Sequence, residues 1–335
     1  MNLFELTKSL MEIPSISGDE YAVGIFLRDY LTNLGWTVEL QTVTENQSNV
    51  IAYLNETPRV FLSTHMDTVA PFIPPTIDEH KIYGRGSCDA KGIIASEIFA
   101  AEELRKQGIN DIGLLFTVDE EQASTGAKVA NNHRLAAKCE YLINGEPTDL
   151  DLAIGSKGSL RLHLKTKGKA AHSAYPEQGE SAIEKLLDIL TDFRQTTLPT
   201  DDFFGDTTLN IGLISGGLQS NVIPPFADSV VHVRLVTDEK PVTEMLQKIV
   251  GERGELEVSS FSLPVKMLAV EGFTQKVVRF TTDIPHLTNW GTPLLLGAGS
   301  ILDAHTKNEF VLKKDLEKAV ELYVNLAKKL LNIEN

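Results

Sequence analysis

Residues 112–127 read IGLLFTVDEEQASTGA, an apolar run that ends in the three adjacent carboxylates Asp119, Glu120 and Glu121. The run is short and aliphatic, as buried strands of layered α/β sheets are. Like charges packed side by side repel, and acids seldom lie at the end of a buried strand without a positive partner. The stretch therefore predicts a strand that delivers acidic side chains to a positively charged site.

Helix-like and strand-like segments alternate on both sides of that strand. Their periodicity predicts the order helix 2–13, helix 20–35, strand 50–54, strand 59–65, helix 93–107, strand 141–145, strand 293–299 and helix 315–331. Such alternation is typical of an α/β fold in which a sheet is layered with helices. Ser17 followed by Glu20 predicts a capping box at the start of the second helix, and Gly35 predicts its end.

The order of the predicted helices and strands changes near Gly155. From there to Pro264 the segments follow the order β-α-β-β-α-β, which is that of a small ferredoxin-like α+β sheet with one open face. The length of the chain also leaves room for two domains. We therefore expect residues 1–154 and 265–335 to form one domain and residues 155–264 to be a second domain inserted into it.

The composition argues against several classes of partner. The 31 basic and 46 acidic residues give a formal net charge of −15, which repels nucleic-acid phosphates and anionic lipid headgroups. No apolar stretch approaches the roughly 20 residues of a membrane span, and the N-terminal segment lacks the pattern of a secretory signal. Cys88 and Cys139 show neither disulfide nor thiolate-zinc spacing. We therefore expect a soluble cytoplasmic protein that binds neither nucleic acid nor membranes.

Metal-capable side chains follow several of the predicted strands. His65 and Asp67 come directly after one strand, the acids 119–121 follow another, Glu146 follows a third, and Asp89 lies in a glycine-flanked loop. Ligands of open α/β sheets collect beyond the carboxyl ends of the strands, so these residues can converge although they are scattered in sequence. The positive partner of the acids is most simply a metal ion, and their number favours two ions.

A second histidine is available in the C-terminal part of the chain. His305 lies in a glycine-rich loop after the predicted strand PLLLG. Imidazole and carboxylate without cysteine form a ligand set that suits zinc at a catalytic centre.

Seven motifs of the chain resemble, in order, those of the di-zinc metallopeptidase and aminoacylase family, within it most nearly the branch of acetylornithine deacetylase and succinyl-diaminopimelate desuccinylase. The motifs are STHMDTVAP, GRGSCDAKG, TVDEEQASTGA, NGEPTD, GKAAHSAYPEQGESAI, GGLQSNVIPP and GAGSILDAHTKNEF. The resemblance implies a catalytic domain at 1–154 and 265–335 and a lid or dimerisation domain at 155–264, through which a homodimer can form.

The resemblance also implies the metal ligands. Two Zn²⁺ ions, for which Co²⁺ or Mn²⁺ could substitute, would be held by His65, Asp89, Glu121, Glu146 and His305. Asp89 would bridge both ions. Glu121 and His305 would complete one site, and His65 and Glu146 the other.

Six further residues receive roles by resemblance. Glu120 would be the general base, Asp67 would orient the His65 ring, and His172 would stabilise the oxyanion of the tetrahedral intermediate. The remaining three would contact the substrate and are Asn221, Arg234 and Gly299. Relatives usually carry an acid where this chain has His232, and Gly-Pro-Gly where it has Gly-Ala-Gly at 297–299, which puts the aim of Arg234 and the shape of that loop in question.

The implied activity is removal of an acyl group, with acetyl the leading choice, from an N-acylated amino acid. Acetylornithine is the leading substrate, which would place the enzyme in arginine biosynthesis. A dipeptidase or aminopeptidase of the same family would use the same residues on a peptide bond. A non-catalytic amino-acid or peptide binding protein on the same fold would be expected to lack Glu120 or a ligand, and this chain has them all.

Overall fold

The computed structural model describes residues 1–333. Its helices are α1 Leu3–Met11, α2 Tyr21–Asn33, α3 Lys91–Lys106, α4 Thr125–Ala130, α5 Ala182–Gln195, α6 Glu239–Val250 and α7 Lys313–Leu330. Its strands are β1 Thr37–Thr44, β2 Gln47–Tyr53, β3 Val60–His65, β4 Thr76–Ile77, β5 Lys81–Tyr83, β6 Ile112–Thr117, β7 Tyr141–Asn144, β8 Leu152–Ser156, β9 Gly158–Lys167, β10 Thr200–Asp201, β11 Gly205–Asp206, β12 Thr208–Gly216, β13 Phe226–Leu235, β14 Glu255–Ser262, β15 Val265–Lys266, β16 Gln275–Val278, β17 Thr292–Leu295 and β18 Phe310–Leu312.

The chain forms two compact units. Of the described residues, the first comprises 1–154, 267–276 and 282–333, and the second comprises 155–266 and 277–281. Within residues 1–333, no helix has both the length and the apolar character needed to cross a lipid bilayer.

The first unit has the predicted α/β architecture. Its main sheet runs β1-β2-β6-β3-β7-β17-β8, and the pairs β6-β3, β3-β7 and β7-β17 are parallel. The central strands β3 and β6 are buried at every residue, as expected for parallel strands covered on both faces. Helix α3 packs against β3 and β6 and also against α1 and α7, which explains why its apolar residues extend around most of its surface.

The start of α2 differs from the sequence-based prediction. Its N-cap is Glu20, which makes no side-chain capping bond, so the predicted capping box was wrong. The Ser17 hydroxyl instead donates to Asp67 Oδ2 at 2.7 Å. The end of the helix was predicted correctly, because Gly35 follows it with a φ of +87°, which glycine adopts without steric strain.

The second unit contains a four-stranded antiparallel sheet in the order β12-β13-β9-β14. Helices α5 and α6 pack on this sheet, and the apolar residues of both helices form one core with those of β9 and β13. The connectivity β9-α5-β12-β13-α6-β14 is the predicted β-α-β-β-α-β order. The role of this unit as a lid or dimer contact stays a prediction.

Candidate metal centre

Three neighbouring parallel strands bring the candidate ligands to one edge of the main sheet. His65 is the last residue of β3, Glu120 and Glu121 follow β6, and Glu146 follows β7. The carboxyl ends of parallel strands lie at the same edge, so side chains separated by up to 81 positions in sequence become neighbours there. Asp89 joins them from the loop that enters α3.

Asp89 lies between two histidines. Its Oδ1 is 3.0 Å from His65 Nε2, and its Oδ2 is 3.1 Å from His305 Nε2. His305 Nε2 is also 2.8 Å from Glu121 Oε1. A carboxylate whose two oxygens face two different imidazoles has the geometry of a ligand that can bridge two cations.

Two sets of three side chains could each hold a metal ion. Within residues 1–333 these sets are His65 with Asp89 and Glu121, and His65 with Glu120 and Glu146, and in each set the ligand atoms lie within 4.8 Å of one another. Glu120, predicted as the general base, belongs to one of these sets, and His305, predicted as a ligand, belongs to neither.

Asp67 connects the histidine to the acidic turn. His65 Nδ1 lies 3.0 Å from the Asp67 carbonyl oxygen and 3.4 Å from Asp67 Oδ1. A proton on Nδ1 would be donated to Asp67, which leaves Nε2 as the ligand atom facing Asp89. The backbone N–H groups of Glu120 and Glu121 donate to the Asp67 carboxylate, both at 3.1 Å. Burial acts to raise the pKa of Asp67, but the hydrogen bonds from His65, Ser17 and Glu121 bring it below its usual value.

Two glutamates of the centre, the half-buried Glu120 and the buried Glu146, have pKa shifts of the opposite direction. Burial and the charge of Glu146 raise the pKa of Glu120 well above its ordinary value. Burial, opposed by His65 but reinforced by Asp89, raises the pKa of Glu146 in the same way. Glu146 Oε1 is buried and has no hydrogen-bond partner. Such a group is costly to keep charged unless a cation lies next to it.

The pKa values of the two histidines His65 and His305 are also raised, which favours the charged form of each ring. Hydrogen bonds to Asp89 and Glu121 raise the pKa of His305 to about 10. Burial acts to lower the pKa of His65, but its bonds to Asp67 and Asp89 hold it well above the ordinary value. His305 adopts a φ of +61°, which is uncommon outside glycine and is found disproportionately at functional sites. The raised pKa values of both rings reflect the carboxylates that surround them.

The donor chemistry therefore fits divalent cations. Imidazole nitrogens and carboxylate oxygens converge in a partly buried, strongly acidic cluster, and at least one carboxylate oxygen, Oε1 of Glu146, has no hydrogen-bond partner. This is the donor set of zinc, cobalt or manganese sites rather than of soft thiolate sites. The free cysteines are consistent with this, since neither Cys88 nor Cys139 belongs to the two sets of candidate ligands.

Two buried acids near the centre were not singled out from the sequence. Asp283 accepts a hydrogen bond from Thr117 at 2.7 Å, and burial raises its pKa to about 6. Glu97 of α3 has 0% exposure, and burial together with the charge of Glu146 raises its pKa well above the ordinary value. Glu97 could have been noticed as an acid that interrupts the apolar part of α3, between IIA and IFAA. Asp283 lies in a segment without regular periodicity and gave no such signal.

A buried ion pair supports the loop of Asp89. Arg85 Nη1 donates to Glu309 Oε2 at 2.5 Å, and Glu309 Oε1 accepts from the backbone N–H groups of Gly86 at 2.9 Å and Cys88 at 3.3 Å. The two residues lie in two of the seven motifs, GRGSCDAKG and GAGSILDAHTKNEF. The sequence contained the two residues but gave no indication that they pair.

Gly299 lies in the first unit, in the loop that leads from β17 to His305. Its φ is +86°, and a Cβ at this position would lie 2.5 Å from Cys88 Cβ. Its carbonyl oxygen accepts from the N–H of Asp149 at 2.8 Å. Glycine is therefore required here by both conformation and space.

The predicted oxyanion-stabilising residue His172 and the other two predicted substrate-contacting residues, Asn221 and Arg234, lie in the second unit. His172 is exposed, and its Nδ1 accepts from the N–H of Ala174 at 3.2 Å. Asn221 is also exposed, and its carbonyl oxygen accepts from the N–H of Ser173 at 3.0 Å. Arg234 is half-buried, and its Nη1 donates to Thr281 Oγ1 at 3.3 Å. Their predicted contact with substrate stays a prediction.

Sequence comparisons show which proteins are similar to this chain. The Peptidase_M20 profile, described as peptidase family M20/M25/M40, matches residues 61–329. A peptidase M20 domain-containing protein of Schizosaccharomyces pombe is 40% identical over 333 residues, which cover 96% of this chain and 83% of that protein. A protein of Aspergillus clavatus named probable carboxypeptidase is 34% identical over 369 residues, covering 98% of this chain and 89% of that protein.

Solved structures share the fold. Aminopeptidase PepT from Bacillus cereus superposes with a TM-score of 0.79 at 22% identity, covering 98% of each chain. The YXEP protein of Bacillus subtilis, described as a dinuclear metal binding peptidase from the M20 family, superposes with a TM-score of 0.72 at 16% identity, covering 99% of this chain and 98% of that one. Together with the extent of the profile match and the identity to full-length relatives, this shows that the chain belongs to peptidase family M20/M25/M40 and is a metal-dependent hydrolase of amide bonds.

Proposed function

We propose that this protein is a dinuclear hydrolase of amide bonds formed by the amino group of an amino acid, in short peptides or in N-acyl amino acids. The observation that carries the proposal is Asp89, whose two carboxylate oxygens face His65 and His305 at 3.0 and 3.1 Å. The proposed ligands are His65, Asp89, Glu121, Glu146 and His305, and the proposed ions are zinc, with cobalt or manganese as substitutes.

When bound, the two ions would polarise the scissile carbonyl and lower the pKa of an attacking water. Glu120 is proposed as the general base that takes the proton of this water and returns it to the leaving amine. Its raised pKa supports that role, since a carboxylate that must accept and then release a proton works best with a pKa nearer neutrality. Asp67 keeps the His65 ring and the backbone of Glu120 in fixed positions.

Two substrate classes have separate support. The names of the fungal relatives support cleavage of a short peptide next to a free carboxyl terminus. The seven ordered motifs support removal of an acyl group from an N-acylated amino acid such as acetylornithine. Both classes present a carboxylate beside the scissile amide, which the guanidinium of Arg234 could bind bidentately. His172 is proposed to stabilise the oxyanion, and Asn221 and the loop of Gly299 to contact the substrate.

A cytoplasmic location is part of the proposal. The free cysteines Cys88 and Cys139 are both buried and unpaired, which suits a reducing compartment. A homodimer through the second unit, as the resemblance implies, would be seen by light scattering of the purified protein.

A substrate panel tests the proposal. Zinc-reconstituted protein would be assayed on dipeptides and on N-acetyl and N-succinyl amino acids, beside Glu120→Ala and a matched Glu79→Ala control. Glu79 is suitable because its side chain is 88% exposed. We expect turnover that Glu120→Ala abolishes and Glu79→Ala preserves.

The pattern of substrates decides between the two classes. Preferred cleavage of acetylornithine or a related acetylated amino acid would establish the deacylase, and cleavage of dipeptides alone would establish the peptidase. Absence of turnover on the whole panel, with tight substrate binding, would refute both and support the non-catalytic binding protein.

A further inference from the structure

The loop between α1 and α2 runs beside the chain that leaves β3. The Ser15 hydroxyl donates to the Met66 carbonyl oxygen at 2.8 Å. The N–H of Thr68 donates to the Ser15 carbonyl oxygen at 2.9 Å, and the N–H of Ser17 donates to the Thr68 carbonyl oxygen at 3.3 Å. The two backbone hydrogen bonds place residues 17–20, here called the brace, next to Asp67.

The first contact of the brace is with the Asp67 carboxylate. Ser17 Oγ donates to Asp67 Oδ2 at 2.7 Å, and the N–H of Glu121 donates to the same oxygen at 3.1 Å. The N–H of Glu120 donates to the other oxygen, Oδ1, at 3.1 Å. Asp67 is 0% exposed, so water cannot replace the hydroxyl without rearrangement. Ser17 therefore fixes the orientation of the carboxylate that holds the acidic turn.

The second contact is with the start of that turn. The N–H of Asp119 donates to Glu20 Oε1 at 3.2 Å. Asp119 has a φ of +63°, a left-handed conformation that costs energy outside glycine. Glu20 is 1% exposed, and its carboxylate is itself held by the N–H of Gly18 at 3.1 Å and by the side-chain amide of Gln47 at 3.0 Å. A fixed buried acceptor thus stabilises the unusual backbone of Asp119.

The brace consequently holds the acidic turn at three consecutive backbone N–H groups, those of residues 119, 120 and 121. Glu20 binds the first directly, and Ser17 controls the acceptor of the other two. The direction of the Glu120 side chain depends on this backbone, because its Cα–Cβ bond is set by the φ and ψ angles of the turn.

We propose that Ser17 and Glu20 are positioning residues that aim Glu120 at the scissile amide by fixing the backbone of residues 119–121. The inference rests on the proposed role of Glu120 as general base. Neither residue touches the candidate ligand atoms through its own side chain, so the expected loss is in the chemical step rather than in metal binding.

The test compares Ser17→Ala with Ser15→Ala in zinc-reconstituted full-length protein. Both changes remove one hydroxyl from the same loop, but the Ser15 hydroxyl donates to the Met66 carbonyl oxygen and not to the Asp67 carboxylate. Ser17→Ala should lower kcat about 10- to 100-fold, since small misplacements of catalytic groups have effects of this size. KM should change by less than about threefold, because the contacts that bind the substrate equally in the ground state and in the transition state are not affected. Ser15→Ala should keep kcat within about threefold, and Ser17→Thr should restore most of the loss.

A second readout does not depend on activity. Hydrogen–deuterium exchange of the metal-free protein should be faster in the peptide that contains residues 119–121 for Ser17→Ala and for Glu20→Gln. Ser15→Ala should leave the exchange of that peptide unchanged. Metal content, measured by elemental analysis after reconstitution, should equal that of the wild type in every variant.

The outcomes separate this inference from the proposed function. Equal kcat in Ser17→Ala and Ser15→Ala, or loss of metal from Ser17→Ala, would overturn the positioning role while a dead Glu120→Ala variant left the proposed function intact. Full activity of Glu120→Ala would instead overturn the proposed function itself.

Discussion

Replacing Arg85 with methionine should destabilise the first unit by about 3–5 kcal/mol, the usual cost of removing one partner from a buried ion pair. Arg85 is 3% exposed and Glu309 is 1% exposed. Methionine retains most of the apolar length of arginine but leaves the Glu309 carboxylate buried without its countercharge. The loss corresponds to a fall in Tm of about 6–20 °C for a unit of this size.

The effect should depend on pH with a defined sign. Burial and the charge of Asp89 raise the pKa of Glu309, and Arg85 opposes them. Without Arg85 the pKa rises further, so the folded state binds a proton more tightly than the unfolded state. The contribution of Glu309 to stability is then fully present below its pKa in the unfolded chain, and it is lost as pH rises through its pKa in the folded protein. Arg85→Met should therefore be more destabilising at pH 8 than at pH 5.5.

Urea denaturation at fixed free zinc measures this prediction, because bound metal contributes to stability. Arg59→Met is the matched control, since Arg59 pairs with Glu140 at 2.8 Å but the two side chains are 38% and 48% exposed. Such an exposed pair contributes about 0–1 kcal/mol. Adding Glu309→Gln to Arg85→Met should recover part of the stability by removing the buried charge. A cost for Arg85→Met no greater than that for Arg59→Met would refute the reasoning.

Three further predictions concern the loop of Gly299, the second unit and the metal. Gly299→Ala should destabilise the protein by about 1–3 kcal/mol more than Gly108→Ala. Both glycines have a positive φ, but of the two only Gly299 has another residue within 4 Å of the added Cβ. Equal urea midpoints of the two variants would contradict this. Burial and the neighbouring arginines Arg234 and Arg161 lower the pKa of His232 to about 4. The wild type should therefore lose stability as pH falls from about 6.5 to about 4, because the unfolded chain gains a proton on this histidine before the folded protein does. His232→Asn should make Tm depend less on pH over that range. Chelation of the metal should lower Tm. The metal-free protein should lose further stability as pH rises from about 5 to 8, because burial raises the pKa values of Glu120 and Glu146. A Tm that rises with pH after chelation would contradict this.

Local patterns were sufficient for most of the architecture. The strands β3, β6 and β7 and the helices α3 and α7 were predicted within a few residues. Each of these elements shows the pattern of apolar residues that is typical of a buried strand or an amphipathic helix, and this pattern can be recognised from neighbouring residues alone. Smaller elements such as β4, β5 and β18 were not predicted, since strands of two or three residues are too short to show a period.

Local patterns were misleading where a polar side chain had a distant partner. Ser17 has the spacing of a capping residue with Glu20, but its hydroxyl bonds to Asp67, 50 residues away. Glu20 likewise holds Asp119, 99 residues away. A short-range motif competes with every partner that the fold brings near. Here the Ser17 hydroxyl donates to a buried carboxylate instead of accepting from a backbone N–H at the start of α2.

The sequence by itself determined which residues could form the centre, because strand ends and glycine-rich loops are recognisable from neighbouring residues, and the histidines and acids at those positions follow directly. The tertiary structure alone decided that Asp89 presents one oxygen to each histidine, that Glu309 supports its loop from 220 positions away, and that Asp283 adds a buried charge. Distances and burial between such residues depend on how the strands pair and which helices cover them. No spacing along the chain encodes these quantities, so the electrostatics of the centre could be obtained only from the folded protein.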